Sequence, residues 1–513
     1  MPDHPLKPVL LALFVCTLIT PLARADAWFE QREKLRTQRA EFIEQLQASR
    51  VERAEAANAR IMEFLDLIDE KNWKIDERAL WGMCAGVFRL DRNHVRDIPR
   101  RIDEITEDQA VSGREKPDRA FEAALKQARK DLTEPSYDLL RRAESVGEVQ
   151  AAVELMREVL CFDPDHKAIR RALGQVKLSD KVMEKINRID ETTTTDNTLE
   201  KLLRFDADLY WVSKFEAERM KAGLIWNPDR GWMPAKHADR YDKGFVFSLR
   251  RKEWMSLADA NSYHSRAGRD WEIRTEHLDV RGSTDLESIS QVATQLEMMY
   301  DEIFYVYALF FAEGGKYDPL QLALGLVEHP PMKVWVYRDH AEYVNRADAV
   351  SWSGGIFRPS NGTCYFYGGP SETMFHEFTH QVLHVMTEKN DAPVWLTEAI
   401  AQYTETAVFH EDRMLFRGAA YYGHLPLDEL FGLKDGNQWY RHVESDRPSA
   451  YAEAGSVATF CMQAQDGRFR ADFIDYVRDA YRGKDRNRTV WDYLGLSYEE
   501  FRVAYHRWGK DRS

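Results

Sequence analysis

Between residues 374 and 386 an apolar run (Met374, Phe375, Phe378, Val382, Leu383, Val385 and Met386) is interrupted by the sequence His376-Glu377-Phe378-Thr379-His380. The apolar spacing is helical. On an α-helix, positions four apart lie about 40° apart around the axis and roughly 6 Å along it. His376 and His380 therefore project the same way, with Glu377 beside their face. A buried helix that carries polar groups must supply them with partners. Two surface or helix-capping histidines would need none, but the apolar surroundings argue against that placement. A shared metal ion is an economical partner. His-Glu-x-x-His on a helix is a pattern that binds zinc and uses its Glu as general base. The feature thus demands a buried helix and a second element that delivers a third ligand.

That element is legible downstream. Asp391-Ala392-Pro393 reads as the end of a loop, with Pro393 suited to a helix start, and Val394 to Tyr403 reads as a second apolar helix. Glu398 is the carboxylate in its first turns. Two antiparallel helices joined by a short loop return Glu398 towards His380. The expected ligands of a Zn2+ ion are His376, His380 and Glu398. His384 continues the histidine row at i+8, too far along the axis to share the ion comfortably, and reads as a helix-end histidine.

The segments HEFTH and WLTEAIAQY together resemble the gluzincin branch of zinc metallopeptidases, the peptidase MA-like group that includes thermolysin and the aminopeptidase N enzymes. They are also similar to a family of exported bacterial proteins with such a domain. The resemblance covers about Trp271 to Trp508. It implies that Glu398 is the third ligand, that Glu377 is the base, and that a Tyr or His from a later region assists the oxyanion. Tyr451, at the start of the small-residue segment Ser449–Ser456, is the candidate. Tyr421, Tyr422 and His424 compete with it, and a Tyr451 that merely packs its helix is the plainer alternative. Two positions depart from the pattern. Ala399 stands where many relatives carry Gly. Gln402 stands where thermolysin-like enzymes carry an Asp that orients a ligand histidine. A ligand histidine needs such an acceptor, so Glu405 or a backbone carbonyl must serve.

The resemblance implies an exported zinc-dependent peptidase that cleaves peptides or proteins with a zinc-activated water and Glu377 as general base. The strand Thr363–Tyr367, just ahead of the metal helix, is expected to pair with extended substrate. Two other readings stand beside it. One is a catalytically inactive peptidase-like scaffold or binding protein, against which the intact ligand set weighs. The other is a zinc hydrolase of a non-peptide cell-wall amide.

With 513 residues the chain is too long for one core, and 44% hydrophobic residues suffice to fold it. A net charge of −14 argues against nucleic acid or an anionic membrane surface as main partner. Residues 1–25 read as a signal peptide. Lys7 is followed by an apolar stretch from Pro8 to Ala23, short for a bilayer span of about 20 residues, and by Ala23-Arg24-Ala25. A periplasmic or secreted location is expected, with no stable membrane span after cleavage. Cys16 leaves with the leader. Cys84, Cys161, Cys364 and Cys461 form no CxxC pair and read as buried thiols, although export permits disulfides.

Residues 26–190 read as a helical domain, opened by one long helix or a helical hairpin from Trp28 to about Glu70. It includes a tetratricopeptide-like pair: Tyr137–Ser145, a turn at Gly147, Val149–Phe162, a break at Asp163-Pro164-Asp165-His166, and a further start at Lys167. Repeat solenoids need about three such units, so the pair reads as part of a larger helical domain that offers a surface to a protein partner. Residues 191–270 read as a linker, at Thr192–Thr195, and a small Trp/Gly-rich module whose Trp226, Trp232 and His237 could bind a ligand but read first as local core. Residues 271–513 read as the gluzincin-like domain. A strand is expected at Ile273–Arg281, a helix from Asp285 to Phe311, and a strand at Lys333–Tyr337. A helix from His340 follows, then two strands (Gly354–Phe357 and Thr363–Tyr367) about an Asn361-Gly362 turn. The fold class is α+β: a helical N-terminal region plus a zincin-like catalytic domain of small mixed sheet, HExxH helix and helical C-terminal lobe.

Overall fold

The computed structural model describes residues 21–90, 97–110, 116–186, 211–248, 250–312, 318–387, 390–410, 413–445 and 449–512. Residues 1–20 of the leader and the Thr192–Thr195 linker lie outside the described residues. The stretch from Trp28 to Glu70, which has no Gly or Pro, belongs to one helix rather than a hairpin: α1 (Pro21–Lys71) has 51 residues and is about 75 Å long at 1.5 Å per residue. Its stripe of Ala54, Ile61, Leu65 and Ile68 is buried. It packs on α2 (Glu77–Leu90), α3 (Ile98–Gln109) and α4 (Arg119–Val146). The expected Tyr137–Ser145 helix is the second half of α4. Pro135 lies inside α4 and removes the N–H that would bond the carbonyl of Asp131. The Arg60 guanidinium donates to that carbonyl instead. Gly147 ends α4 at φ +73°, a left-handed cap that glycine adopts without strain. α5 (Val149–Phe162) follows as expected.

The chain then builds a five-stranded mixed sheet. Its strands are β1 (Trp271–Arg274), β2 (Leu278–Gly282), β3 (Met332–Tyr337), β4 (Ile356–Arg358) and β5 (Thr363–Tyr367), in the order β4-β5-β3-β2-β1. The two outer pairings are antiparallel and the two inner ones parallel. The single strand expected at Ile273–Arg281 is two, folded back on each other. The reversal at Thr275–His277 has no Gly, Pro or Asn to announce it. It is held from outside, by Glu297, which accepts from the Thr275 hydroxyl at 2.6 Å and from the His277 backbone N–H at 3.2 Å.

Glu297 belongs to α6 (Leu286–Phe311), the central helix of the core, with Ile289, Val292, Leu296, Ile303 and Phe310 inaccessible to solvent. The remaining labelled helices are α7 (His340–Ala347), α8 (Glu372–Met386), α9 (Val394–Thr404), α10 (Gly436–Val443), α11 (Ala450–Gly467), α12 (Arg470–Tyr481) and α13 (Tyr498–Lys510). The fold is α+β with a helical N-terminal region. The Trp/Gly-rich module consists of two small hairpins, Leu224–Asn227 with Gly231–Pro234 and Phe245–Ser248 with Glu253–Ser256. Trp226 meets Trp232 edge-on at 5.5 Å, and His237 meets Trp254 at 5.3 Å. The module does not pack alone: Met233, Tyr241 and Val246 enter the same core as β1 and α6, and so do Val149 and Val153 of α5. Cys84, Cys161, Cys364 and Cys461 are buried free thiols.

Candidate metal centre

Each ligand-bearing helix is fixed before it offers a ligand. The Ser371 hydroxyl caps α8 by accepting from the Met374 N–H. Met374, Phe378 and Val382 bury one face of the helix. The Gln381 amide bridges two carbonyls, Lys333 on β3 at 2.9 Å and Gly362 in the β4–β5 turn at 2.8 Å, which sets α8 against the sheet. Between α8 and α9, the buried hydroxyls of Thr379 and Thr404 lie 2.6 Å apart.

With both helices fixed, three side-chain atoms converge. Nε2 of His376 lies 3.2 Å from Oε2 of Glu398 and 3.3 Å from Nε2 of His380, and that last atom lies 3.6 Å from Oε2 of Glu398. A tetrahedral ion with bonds of about 2.0–2.1 Å spaces its ligand atoms about 3.3–3.4 Å apart. The triangle matches one face of that tetrahedron, and two neutral imidazoles with one carboxylate are a zinc donor set. Among the described residues this is the one His/Cys/Asp/Glu group so disposed. His384 is exposed and outside it, its ring 5.3 Å from that of Phe357.

The orienting acceptor that Gln402 cannot supply is Glu405. Its Oε2 lies 2.8 Å from Nδ1 of His376, and the Gln402 amide donates to the same oxygen at 2.7 Å. Glu405 leaves Nε2 of His376 turned to the ion position. Burial disfavours an imidazolium at His376, but Glu398 and Glu405 more than offset it and hold its pKa up. Burial likewise works against ionised Glu398, and the two histidines override it, holding its pKa low. The centre attracts positive charge.

Glu377 is held by the sheet. The N–H of Phe357 on β4 donates to its Oε2 at 2.8 Å. Burial raises its pKa against the opposing pull of His380 and His376. Phe357 faces Cys364 across the β4–β5 pair. Because its N–H goes to Glu377, both its backbone polar groups point away from β5. The strand expected to receive substrate, β5, is interior, paired with β4 and β3, so it offers no free edge. The free edge beside Glu377 is β4.

Tyr451, in the first turn of α11, puts its ring 6.2 Å from that of His376 and 4.9 Å, edge-on, from Trp439. Burial, then the charge of Glu398, raises its hydroxyl pKa. Two of the competing side chains have other engagements. The Tyr421 hydroxyl pairs with Nδ1 of His506 on α13 at 2.8 Å. The Tyr422 hydroxyl accepts from the Ser449 N–H. His424 donates only its backbone N–H to the buried carboxylate of Glu453, which leaves its imidazole a competitor. One residue was not foreseen. Tyr440 on α10 is 55% exposed, and its hydroxyl pKa is raised by partial burial and then by Glu398 and Glu377. A second phenol thus stands within electrostatic reach of the centre. No local pattern marks it, because only the packing of α10 beside α9 and α11 brings it there.

No protein-family model matches the chain, and a search of curated proteins finds no match.

Proposed function

We propose that the chain is a zinc-dependent peptidase of gluzincin type, exported from the cytosol, that hydrolyses peptide bonds in extended peptide or protein substrates. The observation that carries the reading is the near-tetrahedral triangle of His376, His380 and Glu398 with Glu377 at its side. His376, His380 and Glu398 would hold the zinc, which when bound would supply a Lewis acid and lower the pKa of a water towards 7. Glu377 takes the proton of the attacking water and delivers it to the leaving amine. Its bond from Phe357 occupies one oxygen and leaves the other for this work. Tyr451 donates to the developing oxyanion, with Tyr440 as its rival. The outward carbonyl of Phe357 accepts from a substrate N–H, so an extended chain lies along β4.

Glu377→Gln tests this on the full chain. The nearly isosteric amide should retain zinc and fold and lose hydrolysis of a peptide library by 10²–10⁴-fold, the usual contribution of a general base. A variant that keeps more than about a tenth of wild-type activity rules out the base role. Zinc-loaded wild type inert on every peptide but active on cell-wall amides would move the substrate class.

A further inference from the structure

Trp352 is the most exposed large apolar side chain among the described residues, at 76%, with Val350 beside it at 52%. It does not sit on a loose loop. The Ser353 N–H bonds the Val350 carbonyl at 3.0 Å, closing a turn that has Ser351 and Trp352 at its centre. Ser353 is buried, and its hydroxyl lies 2.7 Å from that of fully buried Tyr343 and donates to the Gly355 carbonyl at 2.6 Å. His340 Nε2 lies 3.2 Å from the Ser353 carbonyl. The backbone is thus anchored on α7 while the indole stays outside.

The anchored turn runs straight into the proposed substrate edge. Gly354 and Gly355 pass so close to Thr373 of α8 that a Cβ on either would meet its side chain at 3.2–3.3 Å, and a Cβ on Gly355 would strike Phe366 at 2.7 Å. Thr373 lies one helical turn before Glu377, on the same face. Residues 354–357 therefore track along α8 from Thr373 to the base, and β4 begins at Ile356. A peptide extended along β4 and followed back past Ile356 reaches the turn. Phe357 lies five positions after Trp352, at most about 17 Å of chain and less with the turn.

Resting on the peptidase reading, we propose that Trp352 is a specificity-determining residue: its indole receives an apolar or aromatic side chain of an extended substrate, two to four positions from the scissile bond. A rigid indole gives a large contact area at little entropic cost. Continuity with the β4 edge selects a peptide as the occupant.

The test uses the full-length, zinc-loaded Glu377→Gln protein and fluorescein-labelled Gly/Ser decapeptides in which a single Phe steps through the sequence. One Phe position should bind about tenfold tighter than the Phe-free peptide. Trp352→Ala should remove that gain without weakening the Phe-free peptide, and Trp352→Phe should restore part of it. A Phe profile identical in Trp352→Ala overturns the subsite, as does a sedimentation result in which Trp352→Ala converts a dimer to a monomer with peptide binding unchanged. Turnover of the same peptides by wild type separates the two readings. Cleavage with a flat Phe profile overturns the subsite and spares the peptidase, whereas a Trp352-dependent Phe preference without cleavage supports the subsite and removes the peptidase.

Discussion

At the residue scale, the centre divides into what spacing announces and what packing delivers. His376, His380 and Glu398 are legible because four-residue periodicity and a short helix–loop–helix connection fix their approach with little help from the rest of the chain. Glu405 shares the candidacy for the orienting role with a backbone carbonyl, because spacing alone does not say which acceptor reaches Nδ1 of His376. Gln402 shows how the choice was made: it donates to Glu405 and turns that carboxylate onto Nδ1 of His376. Glu405→Ala should therefore weaken zinc binding by 10–100-fold while leaving the ligand set intact, as read by competition with a zinc chelator. Unchanged affinity would place the orienting group elsewhere. The two phenols are separable in the same way. Tyr451→Phe should lower kcat by about 10²–10³ with little change in KM, as for loss of one oxyanion donor. If Tyr440→Phe shows that loss and Tyr451→Phe does not, the role belongs to α10.

At the element scale, helices were easier to read than strands. α8 and α9 begin where a cap residue and a proline predict, and α5 spans the expected Val149–Phe162. The reversal at Thr275–His277 has no Gly, Pro or Asn; its trace in the sequence is the polar run Arg274–His277, across which the apolar positions shift phase from Ile273 to Leu278 and Val280, and its fixing group, Glu297, lies 22 positions from Thr275. Assigning β5 as the substrate edge failed for a similar reason: sequence order shows that a strand precedes the metal helix, and only pairing shows which strand is outermost. Helix α6 has a pH signature of its own. Glu302 is buried, and burial outweighs Arg413 and Arg157 to raise its pKa from 4.5 to about 7. A carboxyl raised in the folded state contributes stability fully below about pH 4.5, and loses it as the pH climbs through 7. Glu302→Gln, which stays neutral, should then be more stable than wild type at pH 8 by on the order of 2–3 kcal/mol, with most of the difference gone at pH 5. Denaturant melts at the two pH values check this. An equal ΔΔG at both would show that Glu302 does not titrate with folding.

At the scale of the whole molecule, the N-terminal helices are wedged into the C-terminal lobe. Arg32 and Arg36 on α1 pair with Asp472 on α12, and Arg32 also reaches Asp475 at 3.0 Å, across 443 positions of sequence. Trp28 packs edge-on against Tyr493 at 5.1 Å. Val149 and Val153 of α5 fill part of the main core. A boundary near residue 190, drawn from composition and the threonine run, marks a change in local character. It does not mark a complete separation of cores: residues 54–162 bury a cluster of their own, while Val149 and Val153 enter the main one, and nothing in local composition reports an ion pair of that span. Removing residues 26–190 should abolish the cooperative melt of the remainder, since it takes both Arg32 and Arg36 from buried Asp472 while Asp475 keeps Arg478, a loss of up to about 3–5 kcal/mol for a buried pair, and opens the core at α5. A fragment 191–513 that melts cooperatively and holds zinc would show the two regions to be independent.

The central claim is that three residues on two helices hold one metal ion. The most direct measurement is zinc per chain, by inductively coupled plasma mass spectrometry, on the full-length wild type and on His380→Ala and Glu398→Ala after dialysis against excess zinc and then metal-free buffer. About one zinc per chain is expected in the wild type and near none in either variant, with circular dichroism unchanged. Stoichiometric zinc in both variants, or none in a folded wild type, would contradict the assignment.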